Sequence, residues 1–347
     1  MHTGTTPPVS LSIEAWPAAD LLMSMLAIVE KRAHSSLDAG SSWRDLATPL
    51  PGDFLSRIDR YTKEVYINLL GLPFDHPDAQ TGAGFLATIK SLPADEALRY
   101  LVGYYRRVFR RETPAEVMDA AIAGDREARR EFRRTSFQEP AAWRDTLRHM
   151  LSAPAEDIRD EFADLVRLWL DNVYAAREAD LLALTEADAV ALRASSDGQR
   201  VEGVVERAVP GVTFVPEVGQ THVVLVPSWT IRPLWAVTDH RAANVFAYPA
   251  AARGGGGAPP GRLVALGKAI GDETRLRILR ELATSPATAE GLAERMSIPR
   301  TTLLHHLRIL RRADLIAVQV HDSAYHTYVV RDEHLADVSR LLEEFLG

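Results

Sequence analysis

The sequence predicts a mainly α-helical chain with small β elements. A helical N-terminal domain ends in a strand-rich segment, and a compact C-terminal module of helices and one hairpin follows. Three observations predict this. Apolar residues recur at helical spacing through most of the chain from Pro17 to Ala194. Near Asp197 the composition turns to Val, Thr, Trp and Tyr broken by Pro and Gly, which reads as short strands at about 201–248. Finally, "ARGGGGAPPG" (Ala252 to Gly261) suits neither helix nor strand and reads as a linker. It separates a domain of residues 9–251 from a module of residues 262–347.

The totals narrow the function classes. The chain has 347 residues, 46% hydrophobic and 25% charged, an ordinary globular balance. Cysteine is absent, so disulfides and thiolate metal sites are excluded, in keeping with a reducing, cytoplasmic setting. The N-terminus lacks the basic and apolar regions of a secretory signal. No apolar run reaches the ~18 residues of a membrane span. The formal net charge is −7, so any nucleic-acid binding must rest on locally concentrated positive charge.

Taken in order, Met1 to Pro8 reads as a disordered tail, and Val9 to Ile13 as a short strand. Pro17 opens a helix at a favoured first-turn position. Asp53 and Gly71 bracket another, and "LPADEALRYLVGYYRRVFRR" reads as one amphipathic helix. "TPAEVMDAAIAG", "DREARREFRRTSF" and a long stretch from Pro154 to Ala194 continue the pattern.

In the module, Leu263 to Ile270 is a short helix. Asp272 caps the next, in which Leu276, Leu279 and Leu282 share a face. Thr288 caps "AEGLAERM", and Pro299 opens "RTTLLHHLRILRRA". At 100° per residue, Leu307 and Leu310 fall within about 40° of Leu303. His306 and Ala313 border that stripe, while Thr301, His305, Arg308 and Arg312 lie opposite it. The polar face carries Arg300, Arg308, Arg311 and Arg312, and no acidic residue occurs before Asp314. A helix that buries leucines and shows Thr, His and Arg is suited to lie against phosphates and base edges. Ile316–Val320 and Tyr325–Val330 flank the turn "HDSA" as a hairpin, and "RDEHLADVSRLLEEFLG" is a last amphipathic helix. This order is that of a winged helix-turn-helix.

On "LGKAIGDETRLRILREL", "LAERMSIPRTTLLHHLRILRRADLI" and the tyrosine-bearing hairpin, the module resembles the ArsR-like bacterial transcriptional regulators. The resemblance covers about a quarter of the chain. It implies double-stranded DNA as partner, the Pro299–Ala313 helix in the major groove, a homodimer built by terminal helices, and repression. The candidate DNA contacts are Arg300, Thr301, Thr302, His305, Arg308 and Arg312, with His321 and Tyr325 in the wing. The family's cysteine metal site is impossible here. Asp332-Glu333-His334 matches half of another of its metal sites, but Phe345 stands where a second His is wanted; a capping Asp and a solvated His explain it better. Leu304 replaces a small polar residue, and Asp314 replaces a helix-ending glycine. The layout as a whole is similar to larger actinobacterial regulators whose N-terminal domain is of uncharacterised function.

Neither a catalytic constellation nor a cofactor or metal site emerges. "TGAGFLA" fits a dinucleotide fingerprint but follows no strand, and reads as a helix entry; "GRLVALGK" resembles a P-loop without its Ser or Thr. Tyr100, Tyr104, Tyr105 and Phe109 read as core. Two basic clusters, Arg106/Arg107/Arg110/Arg111 and Arg129/Arg130/Arg133/Arg134, read as solvated faces paired with Glu112, Glu127 and Glu131, with extra phosphate contacts or an anionic effector site as the sharper alternative. The expected function is a DNA-binding regulator whose N-terminal domain binds a small-molecule effector or builds the dimer. The alternatives are a protein-interaction module, or an enzyme with an appended DNA-binding domain.

Overall fold

The computed structural model describes residues 9–31, 37, 42–135, 141–209, 212–217, 219–250, 261–320 and 326–331, with backbone alone at 261–265, 320 and 326. The expected tail, residue 251, the expected linker residues 252–260, His321, Tyr325 and the expected last helix from 332 lie outside the described residues, whereas Gly261, expected in the linker, begins a helix. The chain divides into two compact units, one of residues 1–197 with 219–251, the other of residues 198–218 with 252–347.

Unit one begins with β1 (Ser10–Ile13) and α1 (Pro17–Val29). Short helices follow: α2 (Ser42–Ala47), α3 (Phe54–Ile58), α4 (Lys63–Leu69), α5 (Leu72–Asp75) and α6 (Gly82–Ser91). Next come α7 (Ala94–Leu101), α8 (Arg107–Glu112), α9 (Ala115–Ile122), α10 (Arg126–Thr135), α11 (Ala141–Ser152), α12 (Ala155–Trp169) and α13 (Ala175–Ser195). A π turn, Leu170–Tyr174, joins the last two, and the Tyr174 hydroxyl donates to the Pro17 carbonyl at 2.6 Å. Large aromatics fill the core, among them Trp143, Trp169, Tyr61, Phe85 and Phe162.

The sheet of this unit has the order β1-β3-β5-β4, with β3 (His222–Ser228), β4 (Ala236–Thr238) and β5 (Ala243–Pro249). β1, β3 and β5 run parallel, in register Ser10↔His222 and His222↔Ala243, and β4 is antiparallel to β5. β3 and β5 are nearly all buried, as expected of parallel strands with elements on both faces.

The stretch expected as one helix from Leu92 to Arg111 is two. Gly103 takes φ 77°, a left-handed conformation open to glycine, and the chain turns between α7 and α8. That turn consumes half of the first arginine cluster. Arg106 is buried, its Nε donating to Asp239 Oδ1 at 2.9 Å and its Nη1 to Asn68 Oδ1 at 3.2 Å. Arg107 donates to the carbonyls of Arg241 and Ala243 at 2.8 and 3.0 Å. Burial raises the Asp239 pKa, but the Arg106 charge and its hydrogen bond outweigh that and hold the carboxyl below its usual range. Tyr100 and Phe109 are core, as expected, whereas Tyr104 and Tyr105 are half-buried and donate to Asp119 and Glu96. Thr81, in the Gly-rich stretch, caps α6 by accepting from the Gly84 amide at 3.0 Å, so that stretch is a helix entry.

Unit two also departs from the expectation. Strands were expected from 201, but Val201–Ala208 is a helix, α14, burying Val204, Val205 and Ala208 at helical spacing. The β-branched valines suggested a strand; their 3.6-residue period decides otherwise. β2 (Val212–Phe214) then pairs parallel with β6 (Ile316–Val320), in register Val212↔Val318. The C-terminal module thus takes its first strand from upstream of the linker, and a boundary at 251 does not separate the two units.

The rest of unit two is α15 (Gly261–Ile270), α16 (Glu273–Thr284), α17 (Ala289–Met296), α18 (Arg300–Arg312), β6 and β7 (His326–Val330). Asp272 and Thr288 cap α16 and α17 by accepting from the Arg275 and Gly291 amides at 3.0 and 3.2 Å. α16 buries Ile278, Leu279 and Leu282, while Leu276 is 50% exposed. Leu276 lies about 160° and about 120° round the helix from Ile278 and Leu282, outside the stripe they define.

Candidate nucleic-acid interface

The turn between α17 and α18 sets the face that α18 presents. Ser297 ends α17 at φ 54°, a left-handed cap, and the Ile298 amide closes on the Ala293 carbonyl at 3.1 Å. Pro299 then fixes the chain for entry into α18. Leu303, Leu307 and Leu310 are 0–1% exposed and pack with Ile278, Leu282, Leu292 and Ile316. Each such leucine contributes about 1.5–3 kcal/mol by leaving water, which fixes the rotation of the helix.

With that stripe inward, Thr301, Thr302, His305 and Arg312 are exposed and Arg308 is half-buried. Arg300 is exposed too, but its Nε donates to Glu290 Oε1 of α17 at 2.7 Å. Both partners are about 60% exposed, so this pair is weak and easily exchanged for a phosphate. Arg311, expected on the polar face, sits about 80° from Leu303. It is half-buried, and desolvation pulls its pKa down, only partly offset by neighbouring Tyr328. Leu304 is half-buried against the core.

The two histidines part as the helical angle requires. His305 is exposed, whereas the His306 side chain is 14% exposed, its Nδ1 3.8 Å from Asp272 Oδ1. Burial lowers the His306 pKa below 6.5, more than the Asp272 charge raises it. The rings stand 5.8 Å apart at 70° and present no common pair of nitrogens to one ion. Among the described residues no group of three or more His, Cys, Asp or Glu could hold a metal.

Of the residues that support this face, Arg275, Ala287 and Arg331 carry no signal in the sequence, whereas Asp314 does. Arg275 reaches back to the Ala269 and Lys268 carbonyls at 2.9 and 2.6 Å, closing the end of α15. Asp314 takes φ 60°, as its place at the end of α18 suggested, and Arg331 donates to its Oδ1 at 3.2 Å. β6 and β7 pair antiparallel, and Ala287 bridges to Tyr328 by bonds of 3.1 and 2.8 Å. The hairpin is thereby fastened to the loop that enters α17. Among the described residues no helix is long and apolar enough to cross a membrane.

The helix-turn-helix domain family matches residues 270–319, from the end of α15 into β6. An uncharacterised HTH-type transcriptional regulator of Methanocaldococcus jannaschii is 30% identical over 78 residues, 22% of this chain and 86% of that protein. The transcriptional repressor SdpR of Bacillus subtilis is 42% identical over 50 residues, 14% of this chain and 56% of that protein. No solved structure matches the chain.

Proposed function

Since the chain belongs, through its C-terminal module, to the helix-turn-helix transcriptional regulators, we propose that it is a winged, ArsR-like repressor that places α18 in the major groove of double-stranded DNA. The observation that carries this reading is the two-faced α18. Three buried leucines hold it, and its outward face offers Thr301, Thr302, His305, Arg308 and Arg312, with Arg300 beside them. Arg308 and Arg312 are assigned to phosphates or guanine, and His305 and the threonines to phosphates or base edges. His321 and Tyr325 are assigned to the hairpin as a wing that follows the backbone. Repression is supported by the name of the Bacillus subtilis relative.

Charge supports a homodimer. From Arg262 onward the chain balances twelve Lys/Arg against twelve Asp/Glu, so affinity must come from a local face, which two copies double over two half-sites. The protein is assigned to the cytoplasm, where the DNA is. Unit one is read as the effector-binding part, and no enzymatic role is assigned to it.

The test is fluorescence anisotropy with the DNA upstream of the protein's own gene, against scrambled competitor. Selective binding that weakens with salt is expected. A folded chain that binds neither DNA at low salt would leave a protein-interaction module as the better reading.

A further inference from the structure

The second arginine cluster of unit one is solvated as expected, with Arg130 and Arg134 exposed, but it lacks the expected acidic partners. Arg126, Arg129, Arg130 and Arg133 stand at i, i+3, i+4 and i+7 on α10. Together with Arg148, Leu151 and Ser152 of α11 they line an open cleft of 280 Å³. Ala128 and Phe132 are buried and fix the opposite side of α10, so the arginine row is turned toward α11 by packing. Two of the guanidinium groups are held in place: Arg129 Nε donates to the Ala121 carbonyl at 2.9 Å, and Arg133 Nε to the Arg129 carbonyl at 3.2 Å. Their remaining N–H groups stay available to a ligand.

The expected partners do not neutralise this row. Among the described residues no carboxylate lies within ion-pair distance of Arg126, Arg129, Arg130 or Arg133, Glu127 and Glu131 included. Asp145 pairs with Arg148 at 2.7 Å at the exposed rim, both side chains more than 60% exposed. Like charges at i,i+4 destabilise a helix, and five guanidinium groups around one cleft compound that cost. An anion seated among them removes the repulsion and gains charge-assisted, bidentate hydrogen bonds.

We propose that the α10–α11 cleft binds a compact, multiply charged, phosphate-bearing small molecule. The concave shape argues for a small ligand over a nucleic-acid backbone, whose phosphates line a broad convex rod. The cleft is at the small end of ligand sites, room for a di- or triphosphate-sized group with Leu151 against its less polar part. This names the chemistry of the effector assigned above to unit one and rests on that reading.

The test uses the full chain without DNA, titrated with inorganic pyrophosphate at constant ionic strength and followed by calorimetry and thermal melting. A saturable heat and a melting temperature that rises with pyrophosphate are expected, since the ligand binds the folded state. Arg126→Ala/Arg130→Ala removes two exposed side chains that support no other contact among the described residues. Its unliganded melting should match or exceed the parent's, since one repelling i,i+4 pair is gone, and its pyrophosphate affinity should fall about tenfold or more. No saturable binding, or equal binding by the variant, overturns the proposal. So does loss of DNA affinity in the variant without pyrophosphate saturation in the parent, which would assign the row to DNA phosphates. Failure of the parent to bind DNA, with pyrophosphate binding intact, would count against the regulator reading and leave the cleft standing.

Discussion

α10 and α18 are both arginine-rich helices on an apolar stripe, but they present their charge in opposite ways. α18 turns its polar face outward, and its arginines alternate there with Thr301, Thr302 and His305. α10 lines up Arg126, Arg129, Arg130 and Arg133 in one row and faces a fifth arginine on α11. The first is a convex surface with mixed hydrogen-bonding chemistry, suited to a long ligand with both phosphates and base edges. The second is a concave surface of one chemistry, suited to a small anion. A third cluster completes the lesson, because Arg106 and Arg107 are bound to Asp239 and to carbonyls near β5. Arginine content alone decides none of these outcomes; the neighbouring element does.

The contrast breaks most readily at its apolar supports. Phe132→Ala removes a fully buried ring under α10 and should cost about 3–5 kcal/mol, and Leu307→Ala under α18 about 2–5 kcal/mol, by urea unfolding. Of the two, Leu307→Ala should also abolish DNA binding. If both variants unfold like the parent, the faces are not fixed by these stripes.

The next effect sharpens the comparison on the surface. Arg308→Ala should lower DNA affinity by about 1–3 kcal/mol with unchanged thermal melting. The same substitution should leave pyrophosphate binding at α10 as it was, and a parallel loss of both would contradict separate roles.

A smaller effect follows from His306. Its folded pKa lies below 6.5 because burial disfavours the cation. The unfolded chain therefore takes up the proton first as pH falls. The stability His306 contributes is present above about pH 6.5 and declines below it. His306→Gln should flatten that slope in melting curves between about pH 7.5 and 5.5, and an unaltered slope would place the pH dependence elsewhere. Least of all, Arg300→Ala should change stability by less than about 1 kcal/mol, because the pair with Glu290 is exposed on both sides. A larger loss in urea unfolding would mean that Arg300 braces the turn.

Much of α18 was legible because one strict period carries it. Leu303, Leu307 and Leu310 predicted the buried stripe, the opposite residues followed from the angle, and the caps Asp272 and Thr288 have a local mechanism. Arg311 is not legible in the same way, because a helical angle near the edge of a stripe does not say whether a neighbour, here Tyr328, covers it. The break at Gly103 leaves no local pattern, because the ties that hold it, from Arg106 and Arg107 to the β4–β5 region, span more than 130 residues. In α14 valine content points to a strand, although the valines keep helical spacing. The pairing of β2 with β6 joins segments about a hundred residues apart, and no local pattern encodes such a partner.

The most direct test of the central claim compares the parent chain with Arg308→Ala on its upstream DNA, measuring affinity across a salt series. If α18 lies against DNA with Arg308 on a phosphate, the slope of log affinity against log salt should fall in magnitude by about one and affinity should drop. Equal slopes and equal affinities for the two proteins would contradict the assignment of α18 as the nucleic-acid interface.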